Sequence, residues 1–128
     1  MKPTVLLYNI KDRARLLKLH QALMPLGFRI RLVEKTEFGL PLGVLAGLDE
    51  KPEQEAEMEA LDFSDEMAVM AGFTSAQVDA FILALRKHGV GRIDYKAVLT
   101  PTNRAWNSVK LYCEIKKEHE KMHAGEEK

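Results

Sequence analysis

The spacing of apolar residues changes twice in the first thirty-four positions. Residues 4–10, TVLLYNI, form an almost unbroken apolar run, which predicts a strand buried on both faces. Leu16, Leu19, Leu23 and Leu26 then recur at helical spacing, with Arg13, Arg15, Lys18 and Gln21 on the other side and Asp12 placed as the cap. Pro25 and Gly27 end that helix. Residues 28–34, FRIRLVE, alternate: Phe28, Ile30 and Leu32 share one face and Arg29 and Arg31 the other, as in an edge strand with one wet face.

The succession then returns. Residues 66–73, EMAVMAGF, read as a second strand apolar on both faces. Thr74 and Gln77 have the spacing of a capping box, and Val78, Phe81, Ile82 and Leu85 form a helical stripe that Gly89 stops. Residues 90–99, VGRIDYKAVL, alternate again, with Ile93, Tyr95, Ala97 and Leu99 against Arg92, Asp94 and Lys96. An offset of 62 residues pairs Val5 with Met67, Leu19 with Phe81, Leu23 with Leu85 and Gly27 with Gly89, a weak repeat of βαβ type.

Two βαβ units whose first strands are central predict an α+β, ferredoxin-like two-layer sandwich. Its antiparallel sheet would run in the order 4-1-3-2, with an extra C-terminal helix. A small flavodoxin-like parallel sheet is the alternative, because the link at residues 35–65 is too long for a plain hairpin. Only one sheet face can meet the two crossover helices. The other is expected to be covered by the helix at residues 106–113, by residues 40–48, or by a second subunit.

Within the link, Gly39, Gly43 and Gly47 recur every fourth residue after an apolar start, and Pro41 with Gly47 brackets a short helical turn. No Lys-Ser/Thr follows, so this is not a phosphate loop. Residues 49–62 hold seven acids and one Lys, with Met58 and Leu61 as the larger apolar anchors, and read as a loosely packed acidic loop. TPTNRAWN, residues 100–107, opens the last helix with Thr102 or Asn103 as cap. Trp106, Val109, Tyr112 and Cys113 form its apolar side, which makes Cys113 a buried structural thiol. The organisation is one α/β domain over residues 1–118, with an acidic loop at 49–65, and a polar, fraying tail over 119–128.

A chain of 128 residues with one cysteine needs no staple and can form no internal disulfide, which suits a reducing compartment. No apolar run approaches membrane length, so the expected setting is the cytoplasm. The net charge is zero but unevenly spread. Residues 1–35 carry eight Lys/Arg and two acids, 36–85 one Lys and eleven acids, and 86–128 ten Lys/Arg and six acids. Zero net charge favours self-complementation over nucleic-acid binding, for which Arg13, Arg15, Lys18, Arg29 and Arg31 would serve. The third strand offers Met67, Val69 and Met70 rather than the stacking aromatics an RNA-binding sheet uses.

TVLLYN (residues 4–9), PLGVLAG (41–47), DEMAVMAGF (65–73) and AVLTPTNRAWN (97–107) resemble a bacterial family, domain-of-unknown-function family three-seven-eight-three. The resemblance spans most of the chain, excepting the acidic loop and the tail. It implies one domain, with no established activity, cofactor or catalytic residue.

His119-Glu120-Lys121-Met122-His123 matches H-E-x-x-H, but it stands in a polar tail with no third ligand downstream. Neither metal nor cofactor is expected, and no nucleophile and base converge. The expected role is a non-catalytic binding or regulatory module of bacterial cytoplasm, with a homodimer or protein partner at an apolar sheet face and no membrane. The alternative is a small enzyme or anion-binding domain. Its groups would be Thr74, Ser75, Thr100, Thr102, Asn103 and Arg104, at two helix starts about 10 Å apart across one intervening strand, with Lys2 nearby.

Overall fold

The computed structural model describes residues 2–50 and 63–126. A mixed four-stranded sheet carries helices on both faces. Its strands are β1 (Thr4–Tyr8), β2 (Arg29–Val33), β3 (Met67–Ala71) and β4 (Tyr95–Val98). Its helices are α1 (Arg13–Leu23), α2 (Leu42–Leu45), α3 (Ser75–Lys87) and α4 (Ser108–Glu126).

The sheet order is β2-β1-β3-β4. β1 pairs parallel with β2 and antiparallel with β3, and β3 pairs parallel with β4. This corrects the 4-1-3-2 order, and the antiparallel β1–β3 pair also rules out the all-parallel alternative. The apolar strands β1 and β3 are central, as expected. Each edge strand, however, lies beside its own unit's first strand and not beside the other unit's. The link is the physical reason. A hairpin would set β3 next to β2, whereas Phe38, Leu42 and Leu45 after β2 and Phe63 before β3 pack on the far sheet face, and β3 pairs with β1.

The two faces have separate cores. On one, α1 and α3 press Leu19, Leu23, Phe81 and Leu85 onto Val5, Leu7, Ala68 and Met70. On the other, Phe38, Leu42, Leu45, Phe63, Leu111 and Tyr112 cover Leu6, Tyr8, Met67 and Val69. The second face is therefore covered from within the chain, by α2, α4 and the residues flanking the link.

The repeat holds for helices and slips for strands. The caps Asp12 and Thr74, and the helix ends Gly27 and Gly89, keep the 62-residue offset. The strands align at 63, Thr4 with Met67, because the turn after β3 is one residue shorter than that after β1. One residue exchanges the faces of a strand. Val5 and Met67, matched by sequence, therefore face opposite cores. Single-face alternation through residues 93–99 is also corrected. Ile93 precedes β4 and enters the α1–α3 core, whereas Tyr95, Ala97 and Leu99 lie against the other.

Three expectations about α4 change. It begins at Ser108, one turn after Thr102 and Asn103, with the Asn107 side chain accepting from Lys110 N at 2.8 Å. Cys113 is exposed. The buried stripe is Ser108, Leu111 and Tyr112, with Ile115 packed beside it, and Cys113 stands about 100° round the helix from Tyr112. The helix also continues through the expected tail, and the His119 ring lies 5.4 Å from that of Tyr95. Of the acidic loop, residues 51–62 lie outside the described residues.

Candidate functional site

The expected anion-binding residues do share one end of the sheet. Thr4 pairs with Ala71, and Leu99 N donates to the Met70 carbonyl at 2.8 Å, so the chain leaves β3 and β4 on the same side. β3 and β4 are adjacent, without the strand expected between them. The polar groups there are mutually engaged. Thr74 and Gln77 form a reciprocal capping box, with bonds of 2.8 and 3.2 Å, and Ser75 follows as the first residue of α3. Thr100 and Asn103 close a second reciprocal pair at 2.8 and 3.1 Å, and Asn103 Nδ2 also donates to the Val98 carbonyl. Thr102 makes no capping bond, and residues Asn103–Ala105 are a single 3-10 turn.

Arg104 is tied to the acidic segment. Its guanidinium grips both carboxylate oxygens of Asp49, with Nε 2.7 Å from Oδ2, and this bond holds the Asp49 carboxyl below the ordinary carboxylate range. Gly43 makes the approach possible. A Cβ there would stand 1.9 Å from Asp49 Oδ2 and 2.8 Å from Arg104 Cγ. Gly43→Ala should therefore push the two side chains apart while the fold persists, because the obstructing atoms belong to side chains near the surface and none to backbone. A nuclear magnetic resonance titration of Asp49 would show its carboxyl returning toward the ordinary value of 3.8. An unmoved titration would refute the steric argument.

The basic residues of the first half serve separate contacts. Arg15 reaches Glu66 and the Val90 carbonyl on the α1–α3 face, and Arg31 reaches Glu37 and the Leu45 carbonyl on the other. Arg15 and Arg31 therefore lie on opposite faces of the sheet. Among the described residues no group of three His, Cys, Asp or Glu could hold a metal ion, and no helix is long and apolar enough to cross a membrane.

A concavity lies between the end of α3 and β4, where sequence reasoning placed no site. It begins with how α3 stops. The Gly89 N–H donates to the Arg86 carbonyl at 3.3 Å and Val90 N–H to the Leu85 carbonyl at 3.1 Å, a Schellman motif with Gly89 at φ +65°. Val90 then packs with Leu85 in the core. Gly91, at φ +89°, turns the chain again and sends Ile93 inward, wholly buried. Residues 89–93 thus stand off from the last turns of α3. β4 runs beside them, and Lys96, paired in register with Ala68, projects on the α3 side of the sheet.

The resulting groove has a volume of about 730 Å³ and is lined by Ile82, Leu85, Ile93, Arg86, Arg92 and Lys96, with Gly89 and Gly91 at its rim. A Cβ on either glycine would meet no atom within 4 Å, so the rim borders open space. Lys96 donates to the Ile93 carbonyl, and Arg92 pairs with Asp94 at 3.0 Å. Partial burial, and then the neighbouring Arg92, hold the Lys96 ammonium below its ordinary value. The signal available in sequence was the run RKHGVGRIDYK, residues 86–96, with four Lys/Arg against one acid around two glycines.

These features define a mixed α+β domain with an aliphatic groove edged by cations. Residues 66–122 match the model of the family described as Domain of unknown function (DUF3783), the family the sequence resembles. The matched span runs from β3 into α4 and contains every residue lining the groove. Of the segments that carry the resemblance, residues 4–9 and 41–47 lie outside it. No curated protein and no solved structure matches the chain.

Proposed function

We propose that the chain is a non-catalytic binding or regulatory module of the bacterial cytoplasm that holds a small molecule between α3 and β4. The observation carrying this reading is the groove. Its volume falls in the range of small-molecule sites, and half-buried Ile82, over buried Leu85 and Ile93, meets three cationic side chains across it. At the Thr74 and Thr102 end, by contrast, a ligand would have to displace Asp49 from Arg104 and break two reciprocal caps.

The test is a thermal-shift screen of metabolites on the native chain and on Ile82→Trp, which fills the groove from a half-buried position. Ligands that stabilise the native chain and lose their effect in the variant are expected. Hits indifferent to Ile82→Trp, an absence of hits, or conversion of a hit to product would each overturn the reading.

A further inference from the structure

The groove's lining specifies a chemical class, and this inference rests on the binding reading above. We propose that the groove takes a free anion with an aliphatic chain, the chain against half-buried Ile82 and the alkyl stems of Arg86 and Lys96, and the carboxylate or phosphate head among the charged ends of Arg86, Arg92 and Lys96.

The apolar part of the lining is wholly aliphatic. It offers no ring on which a base or other planar ligand could stack, whereas a hydrocarbon chain needs only apolar surface. The cations argue for the head. Arg86 has no ion-pair partner among the described residues, no acid lines the groove, and Asp94 is already taken by Arg92. Lys96 gives one N–H to the Ile93 carbonyl and keeps two to offer. Partial burial first, and the neighbouring Arg92 second, disfavour the Lys96 ammonium, and an anion beside it offsets both.

The end of α3 opposes this, since a helix C-terminus carries about half a negative charge. Three whole positive charges outweigh it, and N–H groups of His88, Gly89 and Val90 already occupy the Ala84, Arg86 and Leu85 carbonyls. The two glycines keep the rim free of side chains, so the chain of a ligand can enter from solvent.

The experiment is calorimetric titration of the native protein with hexanoate, octanoate and decanoate below micelle-forming concentrations, beside octanol, octyl phosphate and inorganic phosphate. Affinity should rise about two- to fourfold per added methylene. Octanol should bind at least about tenfold more weakly than octanoate, as expected when a charge-assisted hydrogen bond is lost. Arg86→Gln with Lys96→Met should cost a similar factor for octanoate and leave octanol unchanged, while Arg104→Gln, outside the groove, changes neither. Because Lys96→Met also frees the Ile93 carbonyl, Arg92→Gln on the exposed loop serves as a second variant, with a smaller loss expected.

Affinity independent of chain length, octanol equal to octanoate, or phosphate equal to octyl phosphate would overturn the assignment. So would sedimentation with phosphatidylglycerol vesicles in the absence of octanoate binding, which would place the ligand in a lipid surface. If the acyl series fails while another class gives hits sensitive to Ile82→Trp, the class falls and the binding reading stands. If no compound of any class binds, both fall.

Discussion

Phe38→Ala should lower stability by about 3–5 kcal/mol, the cost of removing a buried aromatic ring whose site cannot collapse. Phe38 is 2% exposed, with its ring 5.6 Å from that of Tyr8 and stacked 4.7 Å from that of Phe63. Phe63 stacks in turn on Tyr112 of α4 at 4.4 Å. The ring therefore joins the central strand to both ends of the link and to the covering helix. The backbone limits relaxation, because the Phe38 carbonyl accepts from Ser108 N at 3.1 Å and Leu42 N donates to the Trp106 carbonyl at 2.8 Å. Phe38→Leu should lose less than half as much, since the site stays apolar and mostly filled. Urea unfolding measures both. A loss below about 1 kcal/mol for the alanine variant would mean that the cover over this face is loose.

Ser108→Ala and Tyr8→Phe should each cost about 1–3 kcal/mol, and the double variant no more than the larger single. Tyr8 and Ser108 are both 0% exposed, and their oxygens are 2.7 Å apart in the core of the α4 face. Either single change leaves a buried hydroxyl without its partner, whereas the double change leaves none. Additive losses in a double-mutant cycle would show that each hydroxyl has another partner.

The same bond predicts a pH dependence. Burial raises the Tyr8 hydroxyl above its ordinary value of 10.0, and the Ser108 bond opposes this only in part. The folded state thus holds the proton more tightly than the unfolded. Its contribution is full below pH 10.0 and is lost as pH climbs from there through the folded value. The slope is about 1.4 kcal/mol per pH unit for one such group. Burial and the bond to Asp65 also raise Tyr112, which is present in both proteins, so Tyr8→Phe should still lose stability in alkali but less steeply than the native chain. Equal slopes for the two proteins would sink this assignment.

The sequence by itself determined which segments become elements and which strands are central. Local chemistry settles those features: Asp12 and the Thr74–Gln77 box start helices, Gly27 and Gly89 end them, and β1 and β3 are apolar on both faces because both are covered. The short turn at Leu42–Leu45 was legible from Pro41 and Gly47 for the same reason. The sequence also showed that a second sheet face required cover.

The tertiary structure alone decided the strand order, because pairing depends on where Phe38, Leu42, Leu45 and Phe63 pack on the sheet and not on the composition around them. It decided which face each strand residue meets, since a one-residue difference between two turns is invisible to a constant offset. It moved the start of α4 to Ser108, where Phe38 and Leu42 bond to its approach, and turned Cys113 outward. It also formed the groove, whose Ile82, Arg92 and Lys96 come from three elements that only folding brings together.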